Sequence, residues 1–345
     1  MRMTKDNKTT TPKLLSDYNQ LIDNIGDTLK KGRENALNAI NSSLVLTNWN
    51  IGRYIVEFEQ NGKERSQYGS NLLDKLSKDL TNRYGKGFSR SNIAMFRQFY
   101  LAFPIVQTLS GQLSWSHYIE ILKAEDSLAI GFYSKQCEKE KWSVRELRRQ
   151  MNSCLFERLA LSRDKEGVLK LSEEGQEVYN PQDIIRDPYI LDFVGIPDNR
   201  IYREGDLEDR LIANLGQFIL ELGKGFAFIG RQYRLQIGTR HFYVDLVFYH
   251  RILKCFVLID LKSGEIDHKD IGQMNLYLNY FRKEEGTEDD NEPIGLVLGR
   301  YKNKLVVEYA MEGISNQLFV SRYQLYLPNK EQLQTELTRL LEENV

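Results

Sequence analysis

Asp260 and Lys262 stand two apart at the end of an apolar run, Cys255-Phe256-Val257-Leu258-Ile259-Asp260-Leu261-Lys262. The length and composition of that run predict a strand. Residues two apart on a strand share a face, so carboxylate and ammonium point the same way. Burying such charges beside an apolar core costs free energy unless they are paired or hold a metal. The preceding strand-like run, Phe242 to Tyr249, carries Asp245, and the turn His250–Lys254 allows the two runs to pair with Asp245 beside Asp260. Oxygen ligands with water in the remaining positions suit magnesium or manganese. Asp245, Asp260 and the Leu261 carbonyl would supply those oxygens, and Lys262 would orient or help deprotonate an attacking water in phosphodiester hydrolysis. A structural ion pair accounts for the same residues equally well. The Asp-x-Lys triplet also occurs at Asp6–Lys8 and Asp267–Lys269, so alone it decides nothing.

The neighbouring elements carry further groups. A helix over Leu207–Leu222 starts after Asp206, an N-cap residue, and has Glu208 in its first turn. Glu208 either reaches the same sheet edge or simply complements the helix dipole. A helix over His268–Arg282 turns Ile271, Met274, Leu278 and Phe281 to the core, while Gln273 and Tyr277, four apart, share another face. That pair could hold a phosphate or order a water, or be a polar surface pair. Further strands are expected at Ala227–Leu235, Ile294–Gly299, Leu305–Tyr309 and Leu318–Tyr326, with a last helix from Asn329 to Glu343. The product is a mixed sheet flanked by helices.

The front of the chain reads differently. From Leu14 to about Leu161 the periodicity is helical, as in Leu72, Leu76, Leu80 and Tyr84. Gly85 stops that helix, Ser89 caps the next, and the second runs to about Ala102 before Pro104. The unit is either a helix-turn-helix or an ordinary helical hairpin. On its second helix Arg90, Asn92, Arg97 and Gln98 are the candidate DNA contacts, and Arg145, Arg148 and Arg149 form a basic stripe suited to phosphates. Trp115 and His117 have no nucleophile or acid beside them and are expected to pack the core or a subunit contact.

Residues 1–170 hold 27 Lys and Arg against 19 Asp and Glu, a balance of +8, while residues 171–345 hold 20 against 29, or -9. The front half is the better partner for a polyanion. Three scattered cysteines argue for a reducing cytoplasm, and the four histidines show no zinc spacing with them. No apolar run approaches a membrane span. The polar start, residues 1–13, is expected to be a disordered tail and carries no secretory signal. The polar stretch 166–181 reads as a linker between a helical domain (14–165) and a sheet domain (182–345).

The ordered set Glu208, Asp245, Asp260-x-Lys262, Gln273-x-x-x-Tyr277 resembles the PD-(D/E)XK nuclease superfamily. The whole chain is similar to YhcG-type proteins through Trp49-Asn50-Ile51-Gly52, Tyr84-Gly85-Lys86-Gly87-Phe88-Ser89, Gln112-Leu113-Ser114-Trp115-Ser116-His117, Trp142-Ser143-Val144-Arg145, Phe242–Tyr249, Ile259–Lys262 and Gly272-Gln273-Met274. Asp stands at 260 where Glu is more frequent, and Val244 stands where the superfamily's name has proline. The resemblance implies an all-α amino-terminal domain followed by an α/β/α restriction-endonuclease-like domain, α+β overall. It implies a cytoplasmic, magnesium-dependent DNA endonuclease, with manganese able to substitute. Asp245, Asp260, Leu261 and Glu208 would be the metal set and Lys262 the catalytic lysine, with Gln273 and Tyr277 supporting. Restriction-modification or phage-defence partners and a homo-oligomer are the implied associations. The competing expectation is a non-catalytic DNA-binding or assembly subunit.

Overall fold

The computed structural model describes residues 10–60, 71–106, 109–161, 163–197, 201–314 and 317–342, with side chains from Tyr18 onward. The chain forms two compact units, Met1–Lys123 and Ala124–Val345. The first holds helices α1 (Thr10–Gln60), α2 (Leu72–Tyr84), α3 (Arg90–Ala102) and α4 (Trp115–Ile121). The second opens with α5 (Ser127–Glu140), α6 (Val144–Asn152), α7 (Leu155–Ala160) and α8 (Lys165–Glu174). It continues with β1 (Tyr189–Ile190), α9 (Glu204–Ala213), α10 (Leu215–Leu222), β2 (Phe226–Ile237), β3 (Arg240–His250) and β4 (Cys255–Ile266). Last come α11 (His268–Tyr280), β5 (Ile294–Lys302), α12 (Lys304–Met311), β6 (Leu318–Gln324) and α13 (Lys330–Glu342).

In the first unit α1 packs on α3 through its carboxyl-terminal half. Gly52 is obligatory there, because a Cβ would fall 2.0 Å from the Phe96 carbonyl oxygen. Trp49 Nε1 donates to the Phe103 carbonyl at 2.6 Å. Gly85 ends α2 at a φ of 86°, open to glycine at little steric cost, and Ser89 caps α3 by accepting from the Asn92 amide. Trp115 packs against Phe96 and Phe99, and His117 closes a capping box with Ser114. Both are structural.

In the second unit the sheet order is β1-β6-β5-β4-β3-β2. β2, β3 and β4 are antiparallel neighbours, and β4, β5, β6 and β1 run parallel. Alternation divides β4 between two cores. Val257, Ile259 and Leu261 join α9 and α10 on one face, and Leu258 joins α11 on the other. Asp260 and Lys262 share Leu258's face by the two-residue period.

Several expectations need correction. Residues 166–181 are not a bare linker: α8 occupies 165–174 and buries Val168 and Leu171, its polar residues being a solvated face. Residues 305–309 are helical, because Asn303 accepts from the Leu305 and Val306 amides and starts α12 despite the β-branched valines. The helix expected over 207–222 is broken at Asn214, and the helical stretch expected up to about Leu161 is interrupted at Cys154 (φ 51°). The expected tail, residues 1–13, lies outside the described residues up to residue 9, and Thr10 starts α1. Among the described residues no helix is long and apolar enough to cross a membrane.

Candidate active site

The β3–β4 ladder runs from His250 opposite Cys255 to Leu246 opposite Ile259 and stops there. The next pair in register is Asp245 with Asp260. Where the backbone ladder ends, a side chain takes over: the Leu261 amide donates to Asp245 Oδ2 at 2.8 Å. Asp245 is thereby fixed beside Asp260 at the point where the two strands separate.

Asp260 is 2% exposed. Lys262 Nζ lies 2.8 Å from its buried Oδ2, so the carboxylate is ion-paired with the lysine of its own strand. Burial and the Asp245 carboxylate raise the Asp260 pKa well above the ordinary carboxylate range, more than Lys262 lowers it. Burial alone would lower Lys262, yet Asp260, Glu204 and Asp270 hold its pKa above the usual ammonium value. Asp270 Oδ1 and Glu204 Oε2 lie 3.6 and 3.9 Å from the ammonium. Tyr323 also donates from its hydroxyl to the Lys262 carbonyl at 2.9 Å, fixing the strand beneath the lysine.

Glu208, on α9, makes no hydrogen bond to either aspartate among the described residues. Gln232 Nε2 donates to Glu208 Oε2 at 2.7 Å and to Asp245 Oδ1 at 3.1 Å, linking the two acids. Burial, and after it the Asp245 charge, raises the Glu208 pKa against this hydrogen bond. Gln232 sits at a φ of 47°, the left-handed region, between the Arg231–Leu246 and Tyr233–Val244 pairs. Such a conformation in a non-glycine residue costs energy and collects at functional sites. Gln232, Glu204 and Asp270 were not anticipated. For Asp270 the signal was present in the Asp267-x-x-Asp270 cap of α11; for Gln232 nothing local announced it.

Gln273 and Tyr277 do meet: the Gln273 amide donates to the Tyr277 hydroxyl, which donates to the Tyr243 carbonyl at 2.9 Å. The Tyr277 ring is in the core, so it does not lie on a separate polar face, and only its hydroxyl looks toward the edge. Burial and then the Asp260 and Asp245 charges raise its pKa.

The expected basic contacts are largely engaged elsewhere. Arg97 Nε donates to both Glu59 oxygens, at 3.0 and 2.8 Å, and Gln98 donates to the Leu122 carbonyl. Arg149 is half-buried against Asp192 at 2.8 Å and bonds the Ile190 carbonyl, so it belongs to the fold of the second unit. Asn92 caps back onto the Gly87 carbonyl. Arg90 is exposed in an ion pair with Asp74, and Arg145 and Arg148 are exposed.

The donor set fits a hard divalent cation. It offers a buried carboxylate whose charge burial and a neighbouring acid disfavour, a second carboxylate in the adjacent register position, and no histidine or cysteine. Among the described residues no three acids, histidines or cysteines converge closely enough to hold an ion by themselves. One or two carboxylates with water in the other positions is the arrangement magnesium favours.

Comparison with known proteins bears on this geometry. Residues 182–338 match the model of the YhcG PDDEXK nuclease domain, and residues 24–158 match the DUF1016 N-terminal domain. The chain is 39% identical over 354 residues to "Putative nuclease YhcG" of Escherichia coli (strain K12), covering 93% of this chain and 94% of that protein. Among solved structures, a repair endonuclease from Pyrococcus abyssi is 16% identical at a TM-score of 0.26, over 39% of this chain and 50% of that one. The EndoMS–dsDNA2 complex is 17% identical at 0.27, over 39% and 51%. The chain spans about half the length of those two proteins, and the superpositions are too partial to carry an argument. The extended match along the sequence does carry one: the chain belongs to the YhcG family, whose carboxyl-terminal part is a nuclease domain of the PDDEXK type.

Proposed function

We propose that the second unit hydrolyses phosphodiester bonds of DNA with a divalent ion, magnesium or manganese, held by Asp245 and Asp260. The observation that carries this is the ladder's end: two carboxylates in adjacent register, one of them buried and paired with a lysine of the same face. When bound, a divalent ion supplies positive charge to the scissile phosphate and makes a water easier to deprotonate. Lys262 stands where its ammonium can donate to a phosphate oxygen, stabilising charge that grows as the water oxygen bonds phosphorus and the P–O bond to the leaving group breaks. Gln232 holds Glu208 and Asp245 in a fixed relation, and Gln273 with Tyr277 supports the neighbouring strand. The Leu261 amide orients Asp245, so Leu261 serves through its N–H whether or not its carbonyl reaches the ion.

DNA as the substrate is supported by the family and by the basic balance of residues 1–170. Arg90, Arg145 and Arg148 are the expected basic residues best exposed for phosphates; the Arg90–Asp74 pair is a surface ion pair, which contributes little and can be exchanged. A cytoplasmic place in restriction, phage defence or DNA processing follows from the same resemblance.

The test is a cleavage panel of duplex, branched and single-stranded DNA and RNA, with magnesium or manganese. Wild type should cut DNA. Asp245→Ala and Lys262→Ala should each lose at least about a hundredfold in rate. Undiminished cutting by both variants would remove the site, and cutting of RNA alone would remove the substrate.

A further inference from the structure

Helix α1 has two halves in different surroundings. From Val45 onward it buries Val45, Trp49, Ile55 and Val56 within its unit. From Tyr18 to Leu44 no residue is buried, although Ile22, Ile25, Leu29 and Ile40 are 50, 49, 57 and 64% exposed. Most helical stability in proteins comes from packing an amphipathic face, and nothing in the chain covers this one among the described residues. At helical spacing Tyr18, Ile22, Ile25, Leu29, Ile40 and Leu44 fall on one stripe, with the charges of Asp23, Asp27 and Glu34 on the opposite side. The stripe continues into Ile51, Tyr54 and Phe58. There it becomes one wall of an apolar groove of about 500 Å³, whose other wall is Leu76, Leu80 and Tyr84 of α2. Gly26 and Gly32 lie along the same side, and a Cβ on either would meet nothing within 4 Å. Glycine weakens a helix interior, and it is used where another backbone must come close.

We propose that α1 pairs antiparallel with α1 of a second copy of this chain, Tyr18, Ile22, Ile25 and Leu29 of one copy lying opposite Phe58, Tyr54, Ile51 and Thr47 of the other. The two series match because each advances by four, three and four residues, in opposite directions. Ala36 then faces Ile40, and Gly32 faces Leu44. In this register the exposed stripe of each copy fills the groove of the other. A parallel pair would instead set Arg33 against Arg33 and leave the groove open. The paired length is about 60 Å; with a strip about 10 Å wide, roughly 600 Å² per copy is covered. That reaches the lower end of a stable interface, about 1,200 Å² in total. The pairing is independent of the nuclease reading and stands or falls without it.

Light scattering on the full chain should give twice the mass of one chain, and Ile22→Glu with Ile25→Glu, on the exposed stripe, should return a single mass. The register is tested by cross-linking. Ile22→Cys with Tyr54→Cys should join two copies under mild oxidation, the three native cysteines being buried. Ile22→Cys alone should not, since the two positions would stand about 48 Å apart. A monomeric wild type overturns the proposal, as does a dimer unaffected by the glutamates. Cross-linking by Ile22→Cys alone overturns the antiparallel register.

Discussion

Asp260 and Glu221 lie in the same unit and are equally buried, each 2% exposed, yet their surroundings differ in kind. Glu221 Oε1 accepts from Arg158 Nη1 at 2.8 Å and from the Ile190 amide at 2.9 Å, and Arg186 Nη1 lies 3.6 Å from its other oxygen. Burial would raise its pKa, but the two guanidiniums and the amide more than reverse this and hold it below the ordinary carboxylate value. Arg158 is itself tied to the Ser153 and Pro188 carbonyls at 2.9 and 2.8 Å. Asp260 has one lysine, shared with Glu204 and Asp270, and a second carboxylate in the adjacent register position. Burial alone therefore does not mark a functional acid. A buried carboxylate whose charge is fully met is part of the frame; one with a single shared lysine, next to another acid, is where the proposed cation would bind.

The largest effect that tests this contrast is on stability. Glu221→Ala leaves two buried guanidiniums without their carboxylate and should cost about 3–5 kcal/mol in denaturant unfolding. The pH dependence has a defined sign. With its folded pKa lowered, Glu221 contributes stability that is fully present above the unfolded value of about 4.3 and is lost as pH falls toward the lower folded value. Glu221→Gln should flatten that part of the acid-unfolding curve; an unchanged acid limb would break the comparison. Asp260→Asn should act the other way. Without divalent metal it should gain about 1 kcal/mol, since it removes a repelled buried charge. Magnesium at a hundred times its dissociation constant should stabilise wild type by about 2.7 kcal/mol in thermal unfolding, and this increment should vanish in Asp260→Asn. A metal-independent melting curve in wild type would leave the two acids alike. The smallest effect belongs to Gln232→Gly. Release from the left-handed conformation should stabilise by about 1 kcal/mol, while loss of the Glu208–Asp245 link should lower cleavage by about tenfold. Cleavage at the wild-type rate would reduce Gln232 to a turn residue.

Period-two alternation was enough to put Asp260 and Lys262 on one face and Asp245 on the neighbouring strand, because β3 and β4 are joined by a short turn and their register is local. The same holds for helices α2, α3 and α11, whose stripes and caps lie within a few residues. What escaped depends on distant partners. Gln232 acquires its role from a backbone conformation and from acids 24 and 13 residues away. Arg149 looked like one member of a solvated stripe, and only the fold brings Asp192 and the Ile190 carbonyl to it. Leu305-Val306-Val307 has strand-forming side chains, but one cap at Asn303 and a position beside α11 decide for helix. The placement of candidate residues on adjacent elements was legible; contacts defined by long-range pairing were not.

The Arg158–Glu221 pair has a consequence for how this chain can be cut or recombined. Arg158 is the last residue of the first family match, and Glu221 lies inside the second. Excising the nuclease segment at its family boundary would remove Arg158 and with it the closest counter-charge of a buried glutamate. Grafting that segment behind an unrelated helical partner would do the same unless the graft brought an arginine to the same point. The two family segments thus share ion pairs, the buried Arg158–Glu221 and the Arg149–Asp192 pair among them, and they have to be inherited together or repaired together.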